Sequence, residues 1–248
     1  MVPTIKNKGL INMSIERYSV IDQKNPREIV LLKSRKCQWG ICSFCDYIHD
    51  NSDDETEIVK LNQSVLSQVT GKFGSLEVIN SGSCFELPEE TLRDIRQIVE
   101  VKQIRQLYFE SHYMYRKELE VFRAQFDVPV VFKCGIETFD DAFRNKVLKK
   151  GVQFNSPEEV AAYFSSICLM VGIKGQTKEM IERDMKILMD YFEHGCINIY
   201  QNNTTEIVAD ENLIQWFKES YAHLEANQNI EILWNNTDFG VGGVVNEQ

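Results

Sequence analysis

The chain has 248 residues, of which 43% are hydrophobic and 26% charged, and it contains only five prolines, a composition that excludes a fibrous or disordered protein. Its formal net charge of −10 argues against a broad surface that follows a nucleic-acid backbone, so we expect a small-molecule substrate and no nucleic-acid partner. No segment resembles a membrane span or a signal peptide, so we expect a cytoplasmic protein without membrane contact.

The N-terminal residues 1–27 are polar and mixed, and we interpret them as a leader or an edge element ahead of the main fold. From residue 28 onward, short β-branched apolar runs alternate with segments of helical periodicity, the pattern that builds a parallel sheet through crossover helices. The predicted strands are Ile29–Lys33, Leu76–Asn80, Ile104–Phe109, Val130–Cys134, Ile167–Ile173 and Cys196–Tyr200, with a seventh at Ile230–Trp234.

Helices are predicted between these strands, each from apolar residues that share one face. Pro88 begins one helix, and Ser156, Pro157 and Glu159 form a capping box for another that runs until shortly before Cys168. A later helix starts near Asp210. The inward-facing residues are Leu61, Val65, Val69 and Phe73; Leu92, Ile95 and Val99; Met180, Ile181, Leu188 and Phe192; and Leu213, Ile214, Phe217 and Tyr221.

About six strand–helix units result, so the fold class is α/β, either an open doubly wound sheet or a partial eight-unit barrel. We expect a single domain with its core at about 28–201, followed over 202–248 by a helix, a strand and a lid. In both architectures the chemistry belongs at the carboxyl ends of the strands.

One loop directly after the first predicted strand carries three cysteines, Cys37, Cys42 and Cys45. A closed structural site wants four protein ligands, whereas three thiolates on a 4Fe-4S cube leave one iron accessible to a molecule such as S-adenosylmethionine (SAM). A zinc site completed by His49 is the alternative. The remaining cysteines, which lie apart at or near predicted strands, are expected to be small buried hydrophobic residues: Cys84, Cys134, Cys168 and Cys196.

The cysteine loop, with Phe44 just before its last cysteine, resembles the cluster loop of the radical SAM superfamily, although Gln38–Ile41 put four residues where the family usually has three. Later segments resemble that family's cofactor-contacting segments: Asn80–Ser83, Gly135–Thr138 with the following Arg144 and Gly151, Met170–Thr177, and Cys196–Tyr200. The resemblance implies a 4Fe-4S cluster held by the three cysteines and SAM bound near Phe44, Ser81, Gly82, Ser83, Glu137, Arg144, Gly172 and Ile199.

Within the superfamily, the chain is most similar to the queuine lyases of bacterial queuine salvage, which break a carbon–nitrogen bond of queuine and release 7-aminomethyl-7-deazaguanine (preQ1). The resemblance implies that a 5′-deoxyadenosyl radical starts the reaction and that a reductase such as flavodoxin or ferredoxin supplies the electron. It leaves a homodimer open. Other radical SAM substrates and a non-catalytic iron–sulfur or zinc-binding module are the alternatives.

Polar residues near the predicted strand ends are candidates for substrate contact. Glu110 and His112, which follow the third strand, are candidates for proton transfer. The glycine-rich segment 234–243 is a candidate lid over the open side of the barrel. A carboxylate can accept both adjacent donors of a deazaguanine, and the candidate substrate-binding residues are Asp46, Tyr47, Glu110, Tyr113, Asn235 and Asp238.

Overall fold

The computed structural model of the chain describes residues 13–242 and 244–246. Its strands are β1 (Met13–Ile15), β2 (Tyr18–Ile21), β3 (Arg27–Leu32), β4 (Ser75–Asn80), β5 (Gln106–Glu110), β6 (Val130–Glu137), β7 (Ser166–Val171), β8 (His194–Ile199), β9 (Ile230–Leu233) and β10 (Val244–Asn246). Its α-helices are α1 (Glu55–Leu66), α2 (Glu89–Val101), α3 (Leu119–Arg123), α4 (Pro157–Ala161), α5 (Lys178–Tyr191) and α6 (Glu211–Tyr221).

Strands β2 to β9 form one curled sheet in sequential order, while β1 pairs with β10 separately. From β3 to β9 every neighbouring pair is parallel, and β2 adds an antiparallel edge strand. One α-helix connects each successive pair of parallel strands, which is the arrangement of a partial TIM barrel. The predicted α/β fold of about six units is therefore confirmed.

The seven predicted strands are confirmed with small shifts at their ends, and β6 continues to Glu137, beyond the predicted end at Cys134. Strands β3 and β7 are buried along their whole length, as expected for parallel strands covered on both faces. Of the predicted leader, residues 1–12 lie outside the described part, and the rest contains β1 and β2. The division into core and additions remains a prediction.

The helix predicted to run from Ser156 almost to Cys168 is wrong in length, because α4 ends at Ala161. Phe164 is buried in the core, and the carbonyl of Ser165 accepts hydrogen bonds from two backbone N–H groups ahead of β8, so the chain must leave the helix early. The predicted capping box is also absent, since the Ser156 side chain makes no capping hydrogen bond. Its proline does occupy the start of the helix.

No helix in the described ranges is long and apolar enough to cross a membrane. The helices instead bury one face each against the sheet. Leu92, Ile95 and Val99 of α2 and Leu213 and Phe217 of α6 are buried as predicted. Such side chains each contribute about 1.5–3 kcal/mol of hydrophobic stabilisation.

Charged residues occupy the inward face near the amino-terminal end of the barrel. Arg27 forms ion pairs with Glu77 and, at 2.8 Å, with Glu231, and Lys133 also contacts Glu77. Arg27 and Glu77 are only 2% and 1% exposed. Burial alone would raise the pKa of Glu77, but Lys133 and Arg27 outweigh burial and hold it below 4.5. Two cations and two carboxylates thus compensate one another inside the barrel.

Replacing Glu77 should destabilise the fold because it leaves Arg27 and Lys133 buried with one shared carboxylate. We expect Glu77→Gln to lower the free energy of unfolding by about 3–5 kcal/mol, measured by urea denaturation at pH 7. The matched control is Glu90→Gln, which breaks an exposed ion pair with Arg93 and should change stability by less than about 1 kcal/mol.

The contacts of Glu77 with Arg27 and Lys133 also make the stability of the fold depend on pH. Because the pKa of Glu77 is lower in the folded protein than in the unfolded chain, its stabilisation is complete above pH 4.5 and is lost as the pH falls below that value. The difference in stability between wild type and Glu77→Gln should therefore narrow in acid. Equal stability of the two variants at pH 7 would contradict this assignment.

Candidate active site

A cavity of about 440 Å³ opens at the carboxyl ends of the parallel strands and extends into the barrel. The loop after β3 brings Cys37, Cys42 and Cys45 to its wall. Other residues predicted from the sequence line the same cavity: Phe44, Asp46, Tyr47, Ser81, Gly82, Ser83, Glu110, His112, Glu137 and Ile199. Segments that are far apart in the chain therefore meet at this end of the barrel.

The cysteine loop is fixed by hydrogen bonds to two other segments. Ser43 donates from its hydroxyl to the carbonyl of Val147 at 2.6 Å, and Asn203 donates from Nδ2 to the carbonyl of Phe44 at 2.7 Å. Asp46 accepts from Thr204 at 3.3 Å. The loop is thereby held between the segment after β6 and the segment after β8.

Trp39, one of the four residues between the first two cysteines, packs on the turn at 149–151. Its Nε1 donates to the carbonyl of Lys149 at 2.7 Å, and its ring stacks on His112 with centroids 5.8 Å apart. Gly151 has φ +66°, and a Cβ on it would lie 1.9 Å from the indole. A glycine is therefore required where the tryptophan meets this turn.

The turn that Trp39 supports carries Lys150, whose ammonium group lies in the cavity wall. Lys150 Nζ is 2.7 Å from Glu137 Oε1 and 5.5 Å from the centre of the Phe44 ring. Burial alone would lower the pKa of Lys150, but Glu137 and the nearby Cys42 outweigh burial and raise it, so the side chain is a cation at neutral pH. Glu137 reaches this position from a bulge in β6, where it has φ +67°.

The three thiols suit a cluster better than a single metal ion. Burial raises the pKa of Cys42 to about 12, and Lys150 opposes that rise, so a positive charge is already present to compensate thiolates. No group of three Cys, His, Asp or Glu side chains in the described ranges is arranged to bind one metal ion. A 4Fe-4S cube would take each of the three thiolates on a different iron and leave its fourth iron open.

The segment Asn80–Ser83 presents polar groups to the cavity beside the cysteines. Asn80 Nδ2 donates to the carbonyl of Ser83 at 3.0 Å, but its buried Oδ1 has no hydrogen-bond partner in the part of the chain that the structure describes. A buried acceptor without a partner is costly, so this oxygen suits a ligand with an N–H donor. The amino group of a methionine moiety is such a donor.

Glu110 is the predicted carboxylate at the end of β5. Its side chain lines the cavity and accepts no hydrogen bond from the other described residues. Burial, and next the charge of Glu77, raise its pKa to about 7, although Lys133 and Lys150 oppose the rise. Glu110 is thus a group that titrates near neutral pH and is available to a ligand.

His112 has a positioning role in this geometry. Its Nδ1 accepts from the backbone N–H of Met114 at 3.2 Å, so Nε2 carries the proton and donates to the carbonyl of Lys150 at 2.9 Å. Burial lowers its pKa to about 4. Both ring nitrogens are occupied, so the structure does not support the predicted proton transfer by His112.

Three further predicted residues do not reach the cavity. Arg144 is 1% exposed and donates to the backbone carbonyls of Val152 and Thr138, so its guanidinium cannot hold the cofactor. Gly172 has φ +91° and lies against α6, where a Cβ would be 2.3 Å from Ile214. Tyr113 is buried and contacts Glu159 at 3.2 Å. The predicted contacts of all three with cofactor or substrate therefore remain predictions, although none of the three lines the cavity.

The predicted lid, of which Gly243 lies outside the described residues, contributes other residues than expected. Asn235 and Asp238 are both exposed and lie away from the cavity. The backbone N–H of Asn235 donates to the Asp238 carboxylate at 2.8 Å. Phe239 lines the cavity and lies over Arg27 at 4.9 Å and Lys133 at 5.5 Å. The segment therefore closes the barrel lumen through its aromatic residue.

Sequence reasoning missed several cavity residues: Trp39, Glu77, Asn198, Lys133, Lys150, Cys168 and Cys196. Two of them had a local signal, since Trp39 lies between motif cysteines and Lys150 directly precedes a glycine. Lys133 and Glu77 had no local signal, because the residues with which they form ion pairs are distant in the chain. The two cysteines are buried as predicted but also face the lumen.

Solved structures resemble this chain at two levels of similarity. A queuine lyase from Clostridium spiroforme bound to SAM and queuine shares 55% identity, with a TM-score of 0.91 over 93% of this chain and 100% of that one. A radical SAM methyltransferase from Sphaerobacter thermophilus and SuiB from Streptococcus suis share 13% identity each, with TM-scores of 0.58 and 0.52 over 89% and 83% of this chain and 71% and 48% of theirs. At that identity they show the fold alone.

No protein-family model and no curated protein matches the chain. The partial barrel and the three-cysteine loop at its mouth nevertheless define a class, the radical SAM enzymes. Given 55% identity to a relative matched over its entire length, the chain belongs to the queuine lyase family within that class.

The contact between Trp39 and Gly151 can be tested with a matched pair of glycine variants. We expect Gly151→Ala to lower the free energy of unfolding by more than about 1 kcal/mol and to reduce iron bound per chain after anaerobic reconstitution, because the indole must leave the turn. Gly175→Ala is the control, since Gly175 also has positive φ, +98°, but its Cβ would be 3.4 Å from Phe143. Equal iron content in the two variants would argue against the contact.

Proposed function

We propose that this enzyme breaks the carbon–nitrogen bond of queuine and releases preQ1. The observation that carries the proposal is the 55% identical relative, a queuine lyase described as bound to SAM and queuine. The cavity supports it, because one continuous space is lined by the cysteine loop, by polar strand-end segments and by an unpartnered carboxylate.

A 4Fe-4S cluster would be held by Cys37, Cys42 and Cys45. The methionine part of SAM would be held by the segment Asn80–Ser83. A cluster bound there would supply the electron for the reductive cleavage of SAM. Lys150 compensates the negative charge of the thiolates, while Phe44 packs against Met170 and Tyr200 and keeps water from that wall. A reductase such as flavodoxin or ferredoxin would supply the electron.

Glu110 would orient the substrate. A deazaguanine presents a ring N–H and an exocyclic amino group side by side, and one carboxylate can accept from both. Glu110 lies where such a base can enter, since it lines the cavity and its carboxylate is not used by the described protein groups. Its ionised form is the one that accepts both hydrogen bonds.

The proposed reaction can be tested by incubating the reconstituted enzyme with SAM, reductant and queuine deuterated on its cyclopentene ring. We expect preQ1 to form together with 5′-deoxyadenosine that carries deuterium, both measured by mass spectrometry. Cys42→Ala should form neither, whereas Cys84→Ala, which changes a buried cysteine outside the cavity, should form both. If 5′-deoxyadenosine forms without preQ1, the class is right and the substrate is wrong.

The role of Glu110 predicts a pH dependence of substrate affinity. Because the pKa of Glu110 is about 7, its ionised fraction falls about tenfold between pH 8 and pH 6, and the Kd for queuine should rise by the same factor, measured by equilibrium dialysis. Glu110→Gln should bind more weakly and lose this dependence. A Kd that falls as the solution becomes more acidic would contradict the role.

A further inference from the structure

Two thiols face the cavity that the proposed reaction leaves without a role. Cys168 of β7 and Cys196 of β8 pair directly across the sheet, and both line the cavity. They pack together with Leu233 and beside Phe239, one layer deeper in the barrel than Met170 and Asn198, because alternate residues of a strand face the same side.

The two thiols lie next to each other and beside one polar side chain. Cys168 is the direct cross-strand neighbour of Cys196, whose thiol donates a hydrogen bond to Asn198 Oδ1 at 3.5 Å. The neighbouring Cys196 thiol and burial raise the pKa of Cys168 well above its ordinary value, so Cys168 remains protonated at neutral pH. Protonated thiols are poor nucleophiles and metal ligands, but their S–H bonds are weak enough to give a hydrogen atom to a radical.

Electron counting shows that the proposed reaction needs such a donor or its equivalent. Queuine has an even number of electrons, and removal of one hydrogen atom leaves an odd number. When the carbon–nitrogen bond then breaks, one fragment leaves as a closed-shell molecule and the other keeps the odd electron. That fragment must gain a hydrogen atom or lose an electron before it can be a stable product.

Cys196 also connects the cavity to the opposite end of the barrel. A second, small cavity of about 30 Å³, enough for one water molecule, lies at the amino-terminal end of the strands. Cys196 and Lys133 line both cavities. A thiol in this position can react on one side and be reprotonated from the other.

We propose that the Cys168–Cys196 pair is the hydrogen-atom donor that quenches the substrate-derived radical, an inference that rests on the proposed function. The S–H bond of one thiol breaks and its hydrogen forms a new bond on the radical fragment, which leaves a thiyl radical on the protein. One further electron from the low-potential reductant and one proton, delivered from the small cavity beside Lys133, restore the thiol. Each turnover then consumes two electrons, one for SAM cleavage and one for the thiyl radical.

The test compares Cys168→Ser, Cys196→Ser and the double variant with Cys134→Ser. Serine keeps the shape and a polar hydrogen, but its O–H bond is too strong to give a hydrogen atom. Cys134 is the matched control because it is a buried strand cysteine on β6 that lines neither cavity. For each protein, preQ1 and 5′-deoxyadenosine are quantified together, and the Kd for queuine is measured by equilibrium dialysis.

We expect the double variant to bind queuine within about twofold of wild type and still form 5′-deoxyadenosine, while preQ1 per 5′-deoxyadenosine falls about tenfold or more. Cys134→Ser should keep the wild-type ratio. A role in cavity shape alone would change the Kd and leave the ratio unchanged. An unchanged ratio in the double variant overturns the proposal.

An electron titration of the wild-type enzyme gives a second measurement. We expect two electrons of reductant to be consumed per preQ1, and one or fewer would overturn the proposal, because the radical would then return its electron to the cluster. Wild-type enzyme that forms no preQ1 from queuine would instead remove the proposed function itself. The two failures are therefore distinguishable.

Discussion

A buried ion pair between Lys150 and Glu137 holds the mouth of the barrel together. The two side chains meet at 2.7 Å inside the cavity wall, where an isolated ammonium group would be strongly disfavoured. The backbone of the lysine is fixed by His112 from the loop after β5 and, one residue earlier, by Trp39 from the cysteine loop. Strand β6 supplies the carboxylate from its bulge. Segments that follow β3, β5 and β6 thus converge on one positive charge.

This convergence explains the four-residue spacing between Cys37 and Cys42. The longer gap accommodates the indole of Trp39, which reaches the turn at 149–151. That turn places the ammonium group of Lys150 at the cavity that the thiols line. The spacing is therefore linked to a contact between Trp39 and Lys149, which lie 110 residues apart along the chain. A shorter loop would need another way to place that lysine.

The sequence predicts those parts of the fold and site that depend on local patterns. The strands follow from apolar runs, and the three cysteines follow from their spacing within one loop. Arg144 and Lys150 show the limit, because both are basic residues after the same strand and nothing local reveals that only the second faces the cavity. That difference depends on the bulge at Glu137 and on the backbone carbonyls that accept hydrogen bonds from the Arg144 guanidinium. Both are set by tertiary packing. The buried ion pairs of Arg27 could not be predicted for the same reason, since its partners Glu77 and Glu231 lie 50 and 204 positions away along the chain.

The two sets of cysteines occupy different levels of one cavity, with the three cysteines proposed as cluster ligands at the mouth and the thiol pair deeper in the lumen. A substrate placed between them separates the point where the radical is generated from the point where it is quenched. Such an arrangement gives the chemistry a direction, because the radical is generated at the open end and quenched at the thiol pair, which packs beside Phe239. The unpaired electron then moves in one direction through the barrel, from the cysteine loop through the substrate to the thiol pair.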